Sequence, residues 1–345
     1  MIPFRRQLRL HLAGLALFAA ATGKTQAQIT FTEKAVESAP AKFPVKIPKE
    51  GSLALHLQIL LDRAGFSPGI IDGAWGLNAA KAITFFAKHD DPERLSGDAP
   101  PAVTSVDRLT YERLRKAARP KSLIRHYVIT SRDLAGPFTP IPVDVYEQAK
   151  LRCLCYSSPV EMLSERFHVS RKLLARMNPR VNFDKLRPGI QILVPNVELD
   201  GAALPQDTAI IARVIISKKH FWTHAVDAQG NIIYHFPSTL GAGYDPSPSG
   251  DYRVTYVSRE PSFRYQPKLF AEVPDSNPEA KVAAGPNSPV GMVWMSLSKP
   301  HYGIHGTSSP ETIGYANSHG CVRLTNWDAL RLSDLVDIGT PVQFK

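Results

Sequence analysis

The stretch ARVIISKKHFWTHAVDAQGNIIYHFPST, residues 212–239, decides the fold of the largest part of the chain. It reads as three strands, Ala212–Ser217, Phe221–Val226 and, after a turn at Asp227–Gly230, Ile232–Phe236. Downstream, YDPSPSGDYRVTYVS (244–258) adds a Pro/Gly turn and another strand. Strands separated by turns at short intervals predict a mostly antiparallel β sandwich or flattened barrel over 207–345. One helix follows near the end. Thr325 and Asp328 fit a capping box, Ala329, Leu332 and Val336 share a face, and Gly339 then Pro341 stop it.

Upstream the chain changes character several times. Arg5, Arg6 and Arg9 precede an apolar run, Leu10–Ala21, and Thr25-Gln26-Ala27 supplies small residues around a cleavage point. That order predicts a secretory signal peptide over 1–27 and a periplasmic location. The full chain carries a net charge of +10, and loss of the signal's four basic residues leaves about +6. A basic exported protein suits an anionic partner such as a cell wall or membrane surface, and no motif points to nucleic acid. Residues 28–50, with Pro40, Pro44 and Pro48, read as an extended tether.

Residues 51–120 predict three helices. Leu53, Leu57, Leu60 and Leu61 mark the first, ending near Gly65. Asn78 is the expected cap of the second, which carries Ala82, Ile83 and Phe86 on one face. The third runs near Leu109–Ala118. Trp75 reads as a core plug and Asp72 as a turn former. Residues 121–155 read as a Pro-rich connector with one strand near His126–Thr130. Cys153 and Cys155 sit so close that a mutual bridge would be strained, so two thiols are the first expectation, with a bridge between them or to Cys321 left open. Residues 156–197 predict two short amphipathic helices followed by a strand after Pro188-Gly189.

The chemistry concentrates in HYGIHGTSSPETIGYANSHGCVRL, residues 301–324. His301, His305, His319, Cys321 and Arg323 crowd this short span, and three readings are open. A thiolate nucleophile at Cys321 needs a base or cation nearby, which a His supplies. Gly306 and Gly320 would let a substrate carbonyl approach the backbone, and amides around Cys321 could hold an oxyanion. Arg323 could fork onto a substrate carboxylate. A zinc site would use the same residue types, but His301 and His305 lie in a strand-like segment where the rings need not converge. The third reading is a packed thiol among structural histidines.

IHGT (304–307) and SHGCVRL (318–324) resemble the signature of the YkuD-type L,D-transpeptidases. SPSGDYRV (247–254), with Ser247 where Thr is usual, and SPVGMVWMSL (288–297) resemble two further stretches of that family. The resemblance implies an exported enzyme acting on peptidoglycan stem peptides through a Cys321 thioester, with no cofactor and no metal. Cys321, His305, His319, Gly306 and Gly320 are the implied catalytic residues. Gly306 would orient the base through its carbonyl. Arg323, Ser318 and Trp294 are the implied substrate contacts. The acceptor would be another stem peptide, giving 3-3 crosslinks, or an outer-membrane lipoprotein. Carbapenems are implied covalent inhibitors. Hydrolysis of the same bond by a carboxypeptidase or amidase, and a non-catalytic wall anchor, are the alternatives. The segment 51–120 resembles the peptidoglycan-binding three-helix domain, through Leu57-Gln58, Leu60-Leu61, Gly65-Phe66, Gly69, Asp72-Gly73 and Gly76. The segment 156–197 resembles a LysM module, a βααβ unit, through Leu163, Phe167, Leu173-Leu174, Asn178-Pro179 and Ile192-Val194-Pro195. Its usual first strand is not evident.

Overall fold

The computed structural model describes residues 31–89, 103–119, 121–197, 210–241, 243, 246–270 and 273–345. The expected signal segment, 1–27, lies outside the described residues.

The expected tether is corrected. Thr32 caps a short helix, α1 (Glu33–Glu37), and Phe31, Val36 and Ile47 are buried in the core of the N-terminal half. A two-residue strand, β1 (Val45–Lys46), pairs with β2 (Ser105–Val106). Apolar side chains before and between the prolines carry this segment into the core, and burial of such groups outweighs the extended preference.

Three helices follow: α2 (Ser52–Arg63), α3 (Leu77–Ala87) and α4 (Arg108–Ala117). The expected cap Asn78 lies inside α3, whose N-cap is Gly76, and its Nδ2 donates to the Ile313 carbonyl 2.9 Å away. Its amide serves a contact with the C-terminal half instead of the helix end. Asp107 caps α4 with a 2.8 Å bond from the Thr110 amide.

The strand expected near His126–Thr130, in the segment read as a connector, is present and, as the first strand of the βααβ unit, pairs with the strand expected after Pro188-Gly189. β3 (Ile124–Val128) pairs antiparallel with β4 (Gln191–Pro195). Between them come α5 (Val145–Gln148), α6 (Pro159–Arg166) and α7 (Arg171–Met177), the last two capped by Ser158 and Ser170. A long insertion separates β3 from α6, so the unit is not contiguous in sequence. That insertion carries a second correction: Cys153 and Cys155 form a disulfide, S–S 2.05 Å. Leu154 between them exchanges backbone bonds with Ala284 and Asn287, both 2.9 Å.

The C-terminal half is built on strands β5 (Arg213–Ser217), β6 (Trp222–Val226), β7 (Ile232–Pro237), β8 (Leu240–Gly241), β9 (Gly250–Arg259), β10 (Phe263–Tyr265), β11 (Ala280–Val282), β12 (Val293–Leu297), β13 (Gly303–His305), β14 (Asn317–Ser318), β15 (Val322–Arg323) and β16 (Pro341–Phe344). Eight of them form one sheet in the order β15-β13-β12-β9-β16-β5-β6-β7. The sheet is mixed: β13–β15 and β16–β5 are parallel pairs and the other neighbours antiparallel. It curls into a half-barrel, which of the two expected forms, sandwich or flattened barrel, is nearer the barrel. Alternation decides its inner face, as in β12, where Val293, Met295 and Leu297 are buried and Trp294 and Ser296 face the other way. Helix α8 (Asn326–Leu335) starts at the Thr325 cap and packs Ala329 and Leu332 into this core.

The edge strand β7 is covered. The His235 amide donates to the Gly65 carbonyl (3.0 Å) and the Ser67 amide to the His235 carbonyl (2.9 Å). Phe85 of α3 rests against Trp222, His224 and His235. Such cover keeps an open edge from pairing with another chain.

Candidate active site

Strand register gathers the chemistry on one face. His305 pairs with Arg323 across the parallel β13–β15 ladder and with Trp294 across the antiparallel β12–β13 ladder. Trp294 in turn pairs with Ser258, and Ser296 with Tyr256. Residues two apart along a strand share a face, so Cys321, just before β15, joins Arg323 on this side. All of these side chains line a cavity of about 590 Å³ with His301 and His319. The residues between them, Ile304, Val322, Val293 and Met295, point into the core.

Cys321 is in no disulfide, and its Sγ lies 3.7 Å from the His301 carbonyl as a weak donor. His301 has φ +65°, a left-handed backbone conformation rare for a non-glycine residue. The turn into Cys321 needs Gly320, at φ +89°. Ser318 Oγ donates to the Cys321 carbonyl at 2.5 Å, and Ser247 Oγ donates to the Gly320 carbonyl at 2.7 Å while accepting from the Gly241 amide. Ser247, expected only as a turn residue, is one of two hydroxyls fixing this loop.

His305 is buried, and its Nδ1 lies 2.7 Å from the Gly306 carbonyl. A carbonyl only accepts, so Nδ1 carries the proton and Nε2 is left with its lone pair. Burial, with the Arg323 charge second, pushes the imidazole down to about 3, and the Gly306 carbonyl pulls the other way. The ring is neutral at neutral pH. Trp294 stacks on it with centroids 5.3 Å apart, held by an Nε1–H bond to Ser296 Oγ. His319 meets the edge of Phe270, 5.0 Å between centroids.

Of the two parts expected of Gly306, the geometry carries one. A Cβ there would fall 2.1 Å from Asn326 Oδ1, so its open side is filled by Asn326 and not by substrate. The expected carbonyl role toward His305 is what the geometry shows. Asn326 itself was absent from the sequence reading, and the spacing from Cys321 gave no sign of it. Among the described residues, no three His, Cys, Asp or Glu side chains cluster as metal ligands would.

A curled half-barrel with a thiol and a backbone-held imidazole in one cavity defines the class to which the sequence comparisons point. Residues 211–344 match the YkuD family, described as the L,D-transpeptidase catalytic domain. A putative L,D-transpeptidase of Fuscovulum blasticum, from the ATP synthase subunits region, is 31% identical over 39% of this chain and 67% of its own length. The putative L,D-transpeptidase YkuD of Bacillus licheniformis is 28% identical over 53% of this chain and 91% of its own. A solved L,D-transpeptidase from Mycobacterium smegmatis shares 20% identity at TM-score 0.31, over 38% of this chain and 57% of that one. The chain belongs to the YkuD L,D-transpeptidase family, and it is an L,D-transpeptidase.

Proposed function

We propose that the protein works through a Cys321 thioester on peptidoglycan stem peptides after export to the periplasm. The observation that carries this is the placement of Cys321, His305 and Arg323 on one sheet face lining one cavity. In the first half-reaction His305 Nε2 takes the Cys321 proton. The thiolate adds to the carbonyl that follows the diamino acid at stem position three. Backbone amides around Cys321 are the donors for the resulting oxyanion. The tetrahedral adduct collapses, the C–N bond breaks, and the proton on His305 leaves with D-Ala from position four. In the second, an acceptor amine attacks the thioester and gives its proton to His305. The C–S bond breaks, and the proton returns to Cys321. Each half-reaction uses the neutral imidazole that the buried site provides.

Arg323 is the contact proposed for a stem carboxylate, Ser318 holds the loop, and Trp294 forms the wall behind His305. A stem peptide gives a 3-3 crosslink, a lipoprotein lysine gives attachment, and water gives carboxypeptidase activity. The first two are the transpeptidation outcomes that the family assignment favours. The helical unit and the βααβ unit are proposed to bind peptidoglycan. The alignment with the Bacillus licheniformis protein supports a shared upstream unit, since its 183 residues exceed the catalytic segment.

Incubation of the mature protein with disaccharide-tetrapeptide, with and without an added amine, separates these outcomes. Release of D-Ala with a crosslinked dimer supports transpeptidation; release of D-Ala that leaves only disaccharide-tripeptide indicates hydrolysis. A second check is a carbapenem, whose strained lactam should acylate Cys321. Intact mass without an adduct on Cys321 would count against the thiolate mechanism.

A further inference from the structure

We propose that Asn326 and Glu165 are positioning residues for the catalytic base, Glu165 reaching it from the βααβ unit. The inference rests on His305 acting as base, the reading given above.

Asn326 is the first residue of α8, held there by the Thr325 cap, and it is 1% exposed. Two of its four side-chain bonds go to segments that flank the base, and a third crosses to α6. Its Oδ1 accepts the amides of Met292 (3.0 Å) and Thr307 (3.1 Å). Its Nδ2 donates to the Pro286 carbonyl (3.1 Å) and to Glu165 Oε1 (3.0 Å). Met292 leads into β12, which carries Trp294 against the imidazole, and Thr307 follows Gly306. The amide therefore grips both flanks of the carbonyl that holds His305 Nδ1. The approach is close enough that a Cβ at Gly291 or at Gly306 would lie 2.0 or 2.1 Å from Asn326 Oδ1. Two glycines on two different segments make room for one amide oxygen, which marks a built contact and not a chance one.

Glu165 sits near the end of α6 and fixes the other end of that amide. Tyr156 Oη–H also donates to its Oε1, at 3.0 Å, so one carboxyl oxygen ties the insertion, α6 and α8 together. Burial pushes this carboxyl up to about 7. Ionised or neutral, the group keeps an acceptor for Asn326, so the acceptor matters and the charge does not. A small shift of the Gly306 carbonyl would release His305 Nδ1 and let the ring turn. Misplacement of a catalytic group by about 1 Å is enough to cost on the order of 100-fold in rate.

The test uses the full mature chain and disaccharide-tetrapeptide, reading kcat, KM and the downfield His305 Nδ1–H proton signal. Asn326→Ala should lower kcat by ~10–100-fold with KM little changed, and broaden or remove that signal. Glu165→Ala should act in the same direction, and Glu165→Gln should restore the wild-type rate because it keeps the carbonyl acceptor. If Asn326→Ala does not fold, the Glu165 pair carries the test. Wild-type kcat and signal in Asn326→Ala or Glu165→Ala would overturn the inference. So would Glu165→Gln as impaired as Glu165→Ala, or a rate loss that follows melting temperature with the His305 signal intact. Turnover by Cys321→Ala, or an unimpaired His305→Ala, would instead remove the thiolate reading on which the inference stands.

Discussion

At the scale of single residues, the site is held by contacts that leave little room. Gly306→Ala places a methyl 2.1 Å from Asn326 Oδ1, so the turn after His305 must move. We expect a loss of roughly 1–3 kcal/mol in stability, as for other overpacked sites, and a fall in kcat larger than the stability change explains. Thermal melts beside steady-state rates check this, and wild-type values for both would contradict it. Arg323 gives a second prediction. A base works when unprotonated, and His305 has its pKa pushed down to about 3, so wild-type acylation should keep its acid limb far below pH 6.5. Arg323→Gln removes one of the two depressing causes and should move that limb toward neutrality. An acid limb unmoved in a pH series of acylation rates would show that Arg323 does not reach the base.

At the scale of elements, α8 joins the site to the rest of the protein. Its Asp328 is buried, accepts from Ser67 Oγ at 2.8 Å, and has its carboxyl raised to about 7 by burial, with the Asp62 charge second. A folded pKa above the ordinary carboxylate value means that the folded state keeps a proton the unfolded state has lost. That contribution is complete below about pH 4 and declines as pH rises to about 7. Asp328→Asn should abolish the decline, seen as a smaller drop in denaturation midpoint between pH 5 and pH 8 than in wild type. An equal drop in both would contradict it. Element by element, the sequence was informative where the signal is local. The strands of 212–239 and the Thr325 cap depend on alternation and on one side chain, and they lie within a residue or two of their predicted places. The strand near His126–Thr130 was legible too, but its pairing with β4 was not, because the partner lies more than sixty residues away and the insertion hides it. The cap at Asn78 failed because the helix begins one residue earlier, at Leu77 with Gly76 as its N-cap, which places Asn78 inside the first turn. The catalytic motif was legible because its residues sit within 301–324, whereas Asn326 shows its role only through segments near 165, 286, 292 and 307.

At the scale of the whole molecule, the N-terminal half completes the catalytic half. Gly65–Ser67 cover the β7 edge, Phe85 packs over the buried His224–His235 pair, and Glu165 reaches Asn326. These contacts cross boundaries that the sequence reading drew between separate units, because packing between units leaves no local pattern. A fragment of 207–345 would expose β7 and lose Glu165. It should melt lower than the mature chain and self-associate, as size-exclusion chromatography with thermal melts would show. A monomer of unchanged stability would contradict the covered edge. The central claim is that the thiol at 321 carries the acyl group. Its most direct test is intact mass spectrometry of wild type and Cys321→Ala during incubation with disaccharide-tetrapeptide. The account predicts a transient adduct of substrate minus D-Ala on the wild-type protein, mapped to Cys321, with no adduct and no D-Ala release from the variant. D-Ala release by a folded Cys321→Ala protein would contradict it.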